Sequence, residues 1–153
     1  MLNNTSLILL FEVGKRFLLF PGDAQIENWS YALFTAKDKK VLAKLAKSDV
    51  YKVGHHGSLN ATPKTLWGLF KNKWYKGKPG RLKTLLSSKT GKHGDSKRGT
   101  EVPRKKLMKA LAAESELTST MAMKSAADKK EEAAPTKKVK KNPLCEVIEL
   151  DIT

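Results

Sequence analysis

Two nearly continuous apolar runs, Ser6–Phe11 and Arg16–Phe20, flank Val13-Gly14-Lys15 near the start of the chain. Gly14 accepts a positive φ at low cost, so the pair predicts a β-hairpin. Runs with so little alternation predict strands covered on both faces. Pro21-Gly22 ends the second run and sets Asp23 in a turn. Trp29, Tyr31, Leu33 and Phe34 then predict a helix or an irregular segment. Asp38–Lys47 predicts a helix, with Val41, Leu42 and Leu45 on one face and lysines on the other. Asp49–Val53 predicts a short strand broken at Gly54. Pro63 suits the first position of a further helix, with Thr62 as its cap. Its apolar stripe, Leu66, Trp67, Leu69 and Phe70, belongs in a core. Leu82–Ser87 predicts another strand, Thr90–Thr100 a loop rich in Gly, Lys and Ser, and Pro103–Ala113 a helix.

The pattern changes after residue 120. Residues 121–142 hold seven lysines and three acids with almost no large apolar side chain. Such a stretch buries too little surface to offset its chain entropy and predicts a disordered linker. Cys145–Ile152 alternates Val147, Ile148, Leu150 and Ile152 with acids, the pattern of a strand that returns to the sheet. The expected organisation is an α/β unit over 1–120, a linker over 121–143 and a terminal strand over 144–153.

Composition sharpens this in three ways. The 153 residues carry a formal net charge of +15, which favours acidic partners such as nucleic acid. Much of it falls in residues 71–106, where thirteen Lys or Arg face two acids, Asp95 and Glu101. That run reads either as a solvated surface or as a phosphate-binding patch, with Trp67, Trp74 and Tyr75 available to stack on bases. The single cysteine, Cys145, excludes an intramolecular disulfide framework and reads as a buried small hydrophobe. No run approaches the ~20 apolar residues of a membrane helix, and the N-terminal run lacks a charged leader, so a cytoplasmic protein is expected.

The chemistry-bearing residues follow strand-like runs. Asp23 comes after the second and His55-His56 after the third, which places potential metal ligands at neighbouring strand ends. A carboxylate can bridge two cations, and neutral imidazole is a common zinc ligand. Each residue also has a plain structural reading: an acid in a Pro-Gly-Asp turn often bonds nearby backbone N–H groups, and a His-His pair can simply complete a turn. His93, in Lys92-His93-Gly94-Asp95, follows another strand-like run, which makes it a candidate for the same edge and a further ligand, though its plainer reading is a solvated loop residue.

Three segments taken together, Asn3-Asn4-Thr5-Ser6-Leu7, Leu18-Leu19-Phe20-Pro21-Gly22-Asp23-Ala24 and Tyr51-Lys52-Val53-Gly54-His55-His56-Gly57-Ser58, resemble the C-terminal half of metallo-β-lactamase-fold hydrolases. The resemblance is to the subgroup related to the DNA-uptake competence proteins. It implies half of an αββα sandwich with a two-metal site, commonly zinc, at one edge of the sheets. It also implies Asp23 as the bridging carboxylate and His56 as a ligand of the second metal, with His55 as the alternative or as a substrate-contacting group. Two metals would lower the pKa of a bound water and clamp the oxygens of an ester or phosphodiester.

The family also carries a His-x-His-x-Asp-His cluster and another histidine before the Gly-Asp turn. This sequence has no histidine before His55. A catalytic zinc takes about three protein ligands, so this chain alone is not expected to hold a working dinuclear centre. The expected function is therefore a truncated metal-dependent hydrolase. The shortfall reads as a fragment, a degenerate remnant, or a chain completed by a partner or upstream segment that supplies the missing half; the buried-type strand so near the start favours the first two. The alternative expectation is a basic nucleic-acid-binding module without catalysis.

Overall fold

The structure, a computed structural model, describes residues 5–89, 91–95 and 97–122. Both the expected linker, but for its first two residues, and the expected terminal strand lie outside them.

Five strands form one mixed sheet in the order β1 (Leu9–Val13), β2 (Arg16–Phe20), β3 (Val50–Lys52), β4 (Lys83–Leu86) and β5 (Glu116–Ser119). The protein is thus mixed α/β. The hairpin forms as the pattern predicts: Val13 pairs with Arg16, and Gly14 takes φ 60° in the two-residue turn between them. From β2 onward every neighbouring pair is parallel.

Parallel neighbours need crossovers, and helices supply them. α1 (Ile26–Ser30) runs on into a π-helical segment, Tyr31–Ala36, and α2 (Lys39–Leu45) follows. α3 (Lys64–Leu69) links β3 to β4, and α4 (Lys105–Glu114) links β4 to β5. Asp38 caps α2, accepting from the backbone N–H groups of Lys40 and Val41 at 2.8 and 3.0 Å. Within α2, Leu42 and Leu45 reach the core, but Val41, expected beside them, is exposed. The proposed Thr62 cap of α3 is also corrected. Pro63 stands at the cap position, and the Thr62 hydroxyl is 2.8 Å from the buried Tyr51 hydroxyl instead. A buried phenol left without a partner would cost more than the cap contributes. Burial raises the Tyr51 pKa, with the Thr62 hydrogen bond opposing.

Strands stacked in sequence order, joined by crossovers of one hand, receive all their helices on one face. The core follows that rule. Leu19, Tyr51 and Leu86 point from the sheet into one cluster with Trp29, Leu45, Leu66, Leu107 and Leu111. On the opposite face Val50 is buried, whereas Leu18, Phe20 and Leu85 are only partly buried. At its outer side, Leu9, Phe11 and Val13 are 45%, 49% and 57% exposed. The expectation that β1 is covered on both faces is therefore not met among the described residues.

β5 was not anticipated. Glu116-Leu117-Thr118-Ser119 has a single large apolar residue and gives no strand signal on its own. It is recruited by register with β4, Lys83 to Glu116 through Leu86 to Ser119. Among the described residues no helix is long and apolar enough to cross a membrane.

Candidate functional site

In an open α/β sheet, loops leaving the carboxyl ends of the parallel strands gather along one edge. Here that edge receives the turns after β2, β3 and β4. Pro21 is buried, and the Ala24 N–H donates to the Pro21 carbonyl at 3.0 Å, closing the turn that displays Asp23 at the surface. The turn after β3 packs directly against it. A Cβ on Gly54 would lie 2.8 Å from the Gly22 carbonyl oxygen and 3.3 Å from Ala61 Cβ. Only a glycine lets these two backbones approach so closely. The sequence expectation that the Gly-Asp and His-His turns meet at one sheet edge is thus observed.

The His-His turn is strained. His55 and His56 both adopt left-handed backbone, at φ 41° and 53°, and Gly57 continues at 85°. For a residue with a Cβ this conformation costs roughly 1–2 kcal/mol. The surroundings hold it in place. The Gly57 N–H donates to Gly54 and the Ser58 N–H to His55, both at 3.0 Å. The Gly57 carbonyl accepts from the Arg104 N–H at 3.0 Å, and a Cβ at Gly57 would meet Pro103 at 2.7 Å. Strain of this kind, fixed by its surroundings, is a feature of functional sites.

The two imidazoles differ. His56 Nδ1 stands 3.3 Å from the Ser87 carbonyl just past β4. Protonated there, it would present Nε2 as its lone pair, the arrangement that orients metal-binding histidines. His55 Nδ1 is buried and has no hydrogen-bond partner. The ring centroids of the pair are 6.3 Å apart. His93, a candidate for this edge with a solvated loop as its plainer reading, stacks on His56 with centroids 3.9 Å apart and planes 9° from parallel. A bridge between His93 and Val102 places it there, with the Val102 N–H donating at 3.1 Å.

Lys52, at the end of β3, was missed by sequence reasoning, since one cation among thirty lysines and arginines gives no signal. It is half-buried, and burial lowers its pKa while the Asp23 carboxylate opposes that shift. The same electrostatic link places Asp23 near the end of β3.

Whether this edge fits zinc is a matter of donor number. Carboxylate and imidazole are suitable donors, and an unpartnered buried Nδ1 suits a ligand. Yet among the described residues no three His, Cys, Asp or Glu side chains gather closely enough to hold a metal ion. Asp23, His55 and His56 therefore share an edge without forming a complete site.

Compared with family models, curated proteins and solved structures, the chain matches none.

The basic run at 71–106 is not one patch. Lys71 to Leu82 lies at the amino end of β4, where the Lys71 N–H bonds Ala46 and the Trp74 N–H bonds Glu114 at the far end of α4. At the opposite edge, His93 stacks on His56 and the Arg104 N–H donates to the Gly57 carbonyl, which sets this part of the run beside the histidine turn. The aromatics do not form a shared platform either. The Lys78 ammonium sits 3.3 Å over Trp74, Trp67 Nε1 donates to Glu114 at 3.2 Å, and only Tyr75 is broadly exposed.

Proposed function

We propose that this chain is the C-terminal half of a metallo-β-lactamase-type hydrolase, in which Asp23 and the His55-His56 turn supply part of a metal site that cleaves a phosphodiester or other ester. The observation that carries this reading is the contact of the Gly-Asp turn with the strained His-His turn across Gly54. The exposed apolar side chains of β1, Leu9, Phe11 and Val13, support it as well, since apolar strand residues call for a covering layer. In this reading the covering layer belongs to another segment of polypeptide, upstream or in a second chain, that brings the remaining ligands. The chain by itself is inactive. Its residues orient donors: Ser87 fixes the His56 ring, and Gly54 sets the spacing between the two turns.

Zinc titration against a chromophoric chelator tests this. The wild-type chain should bind zinc weakly, and Asp23→Asn and His56→Ala should each weaken binding by about 10-fold or more. A wild-type chain that binds no zinc, or variants that bind it equally well, would overturn the reading. Binding of nucleic acid without catalysis is the second reading, supported by the cations of residues 89–106 at the histidine edge.

A further inference from the structure

Beside the histidine turn, the segment before α4 and the first turns of that helix enclose an open groove of about 740 Å³. Four cations line it, Arg104, Lys105, Lys106 and Lys109, against one acid, Glu101. Leu59 and Met108 are part of an apolar lining between them. Arg104 is braced, since its Nη1 donates to the Gly99 carbonyl and its backbone N–H to Gly57. Lys105 and Lys109 stand one turn apart on α4, about 6 Å along its axis, so their ammonium groups can serve successive phosphates of one ligand.

We infer that this groove binds a free nucleoside polyphosphate, its phosphates on the α4 cations and its flat ring on the apolar lining. Three observations carry the inference. The volume lies within the roughly 300–1,000 Å³ of small-molecule sites. The excess of cations suits two or three phosphates rather than one. The apolar lining gives a ring something to cover that a bare polyphosphate does not need. The groove uses none of Asp23, His55 or His56, so it stands apart from the metal reading.

Calorimetric titration of the full chain in EDTA, which removes any metal from the histidine turn, tests the inference with ATP, AMP and tripolyphosphate. ATP should bind about tenfold more tightly than AMP, and more tightly than tripolyphosphate. The double variant Lys105→Glu/Lys109→Glu should lose at least about tenfold in ATP affinity. Both lysines are exposed, so the variant should fold. A charge-matched double variant at the opposite edge, Lys71→Glu/Lys76→Glu, should lose less than about threefold. Equal losses in the two double variants would reduce the site to general electrostatics and overturn the inference. So would tripolyphosphate matching ATP, or a short oligothymidylate binding more tightly than ATP.

Discussion

The two edges of the sheet use their polar side chains in opposite ways. At the amino edge of the parallel strands, Asp49 accepts from Arg16 Nη1 at 3.0 Å and from the Phe17 N–H at 2.8 Å. Asn72 donates to the Ser48 carbonyl at 2.7 Å, and Arg81 reaches the carbonyls of Trp74 and Ala113 at 2.6 and 2.7 Å. These groups join segments far apart in sequence. At the carboxyl edge, Asp23 is exposed, two histidines hold strained backbone, and His55 Nδ1 and Ser88 Oγ are buried without partners. Asn72 Oδ1 shows that the contrast is one of degree. One edge spends its polar groups on stability. The other keeps strain and unmet bonding capacity at some cost to stability, and that difference separates architecture from a candidate site.

The largest effect should come from removing one acid from each edge in turn. Asp49→Ala strands a half-buried guanidinium and the Phe17 N–H, and should lower stability by about 2–3 kcal/mol in urea denaturation. Asp23→Ala should cost less, about 1 kcal/mol at most, because Asp23 is exposed and its attraction to Lys52 is screened by solvent. Equal losses would erase the distinction. Gly54→Ala should cost about 1–3 kcal/mol, because the new Cβ must push the Gly22 carbonyl away. Its φ is ordinary, so the loss would measure the contact between turns and not backbone strain.

Smaller effects test the strain itself. His55→Gly should raise stability by about 1 kcal/mol by relieving the left-handed backbone, and it also removes the unpartnered Nδ1. A loss of stability would mean that the turn is held for the fold alone. The smallest effect concerns Lys52. Burial holds its folded pKa below the ordinary 10.5, so the unfolded chain binds the proton more tightly. Its contribution to stability therefore rises as pH climbs through the lowered folded value and levels off above the ordinary one. Lys52→Met should remove that rise, seen as the difference between the two melting profiles with pH.

Much of the fold was legible because periodicity reports burial. The hairpin, the strands at 50–52 and 83–86 and the helices at 39–45, 64–69 and 105–114 all carry apolar residues at the spacing of their element. β5 was not legible, since its polar residues become a strand only through pairing with β4. The exposed face of β1 was misread, because coverage depends on what the rest of the fold packs there and not on the residues of the strand. At the candidate site, the positions of Asp23 and His55-His56 after strands were readable from the sequence. The stacking of His93 on His56 was not, as it depends on the Val102 bridge folding the loop back across the edge.

The central claim is that the carboxyl edge supplies metal donors while the sheet and helices of the described residues supply the frame. Two-dimensional ¹H–¹⁵N spectra of the histidine rings, recorded with and without zinc, address it at the atoms concerned. The account predicts that ring nitrogens of His55 or His56 shift on adding zinc, that the shift disappears in Asp23→Asn, and that His93 is displaced only through its stacking on His56. Unchanged spectra, or a response confined to His93, would contradict it.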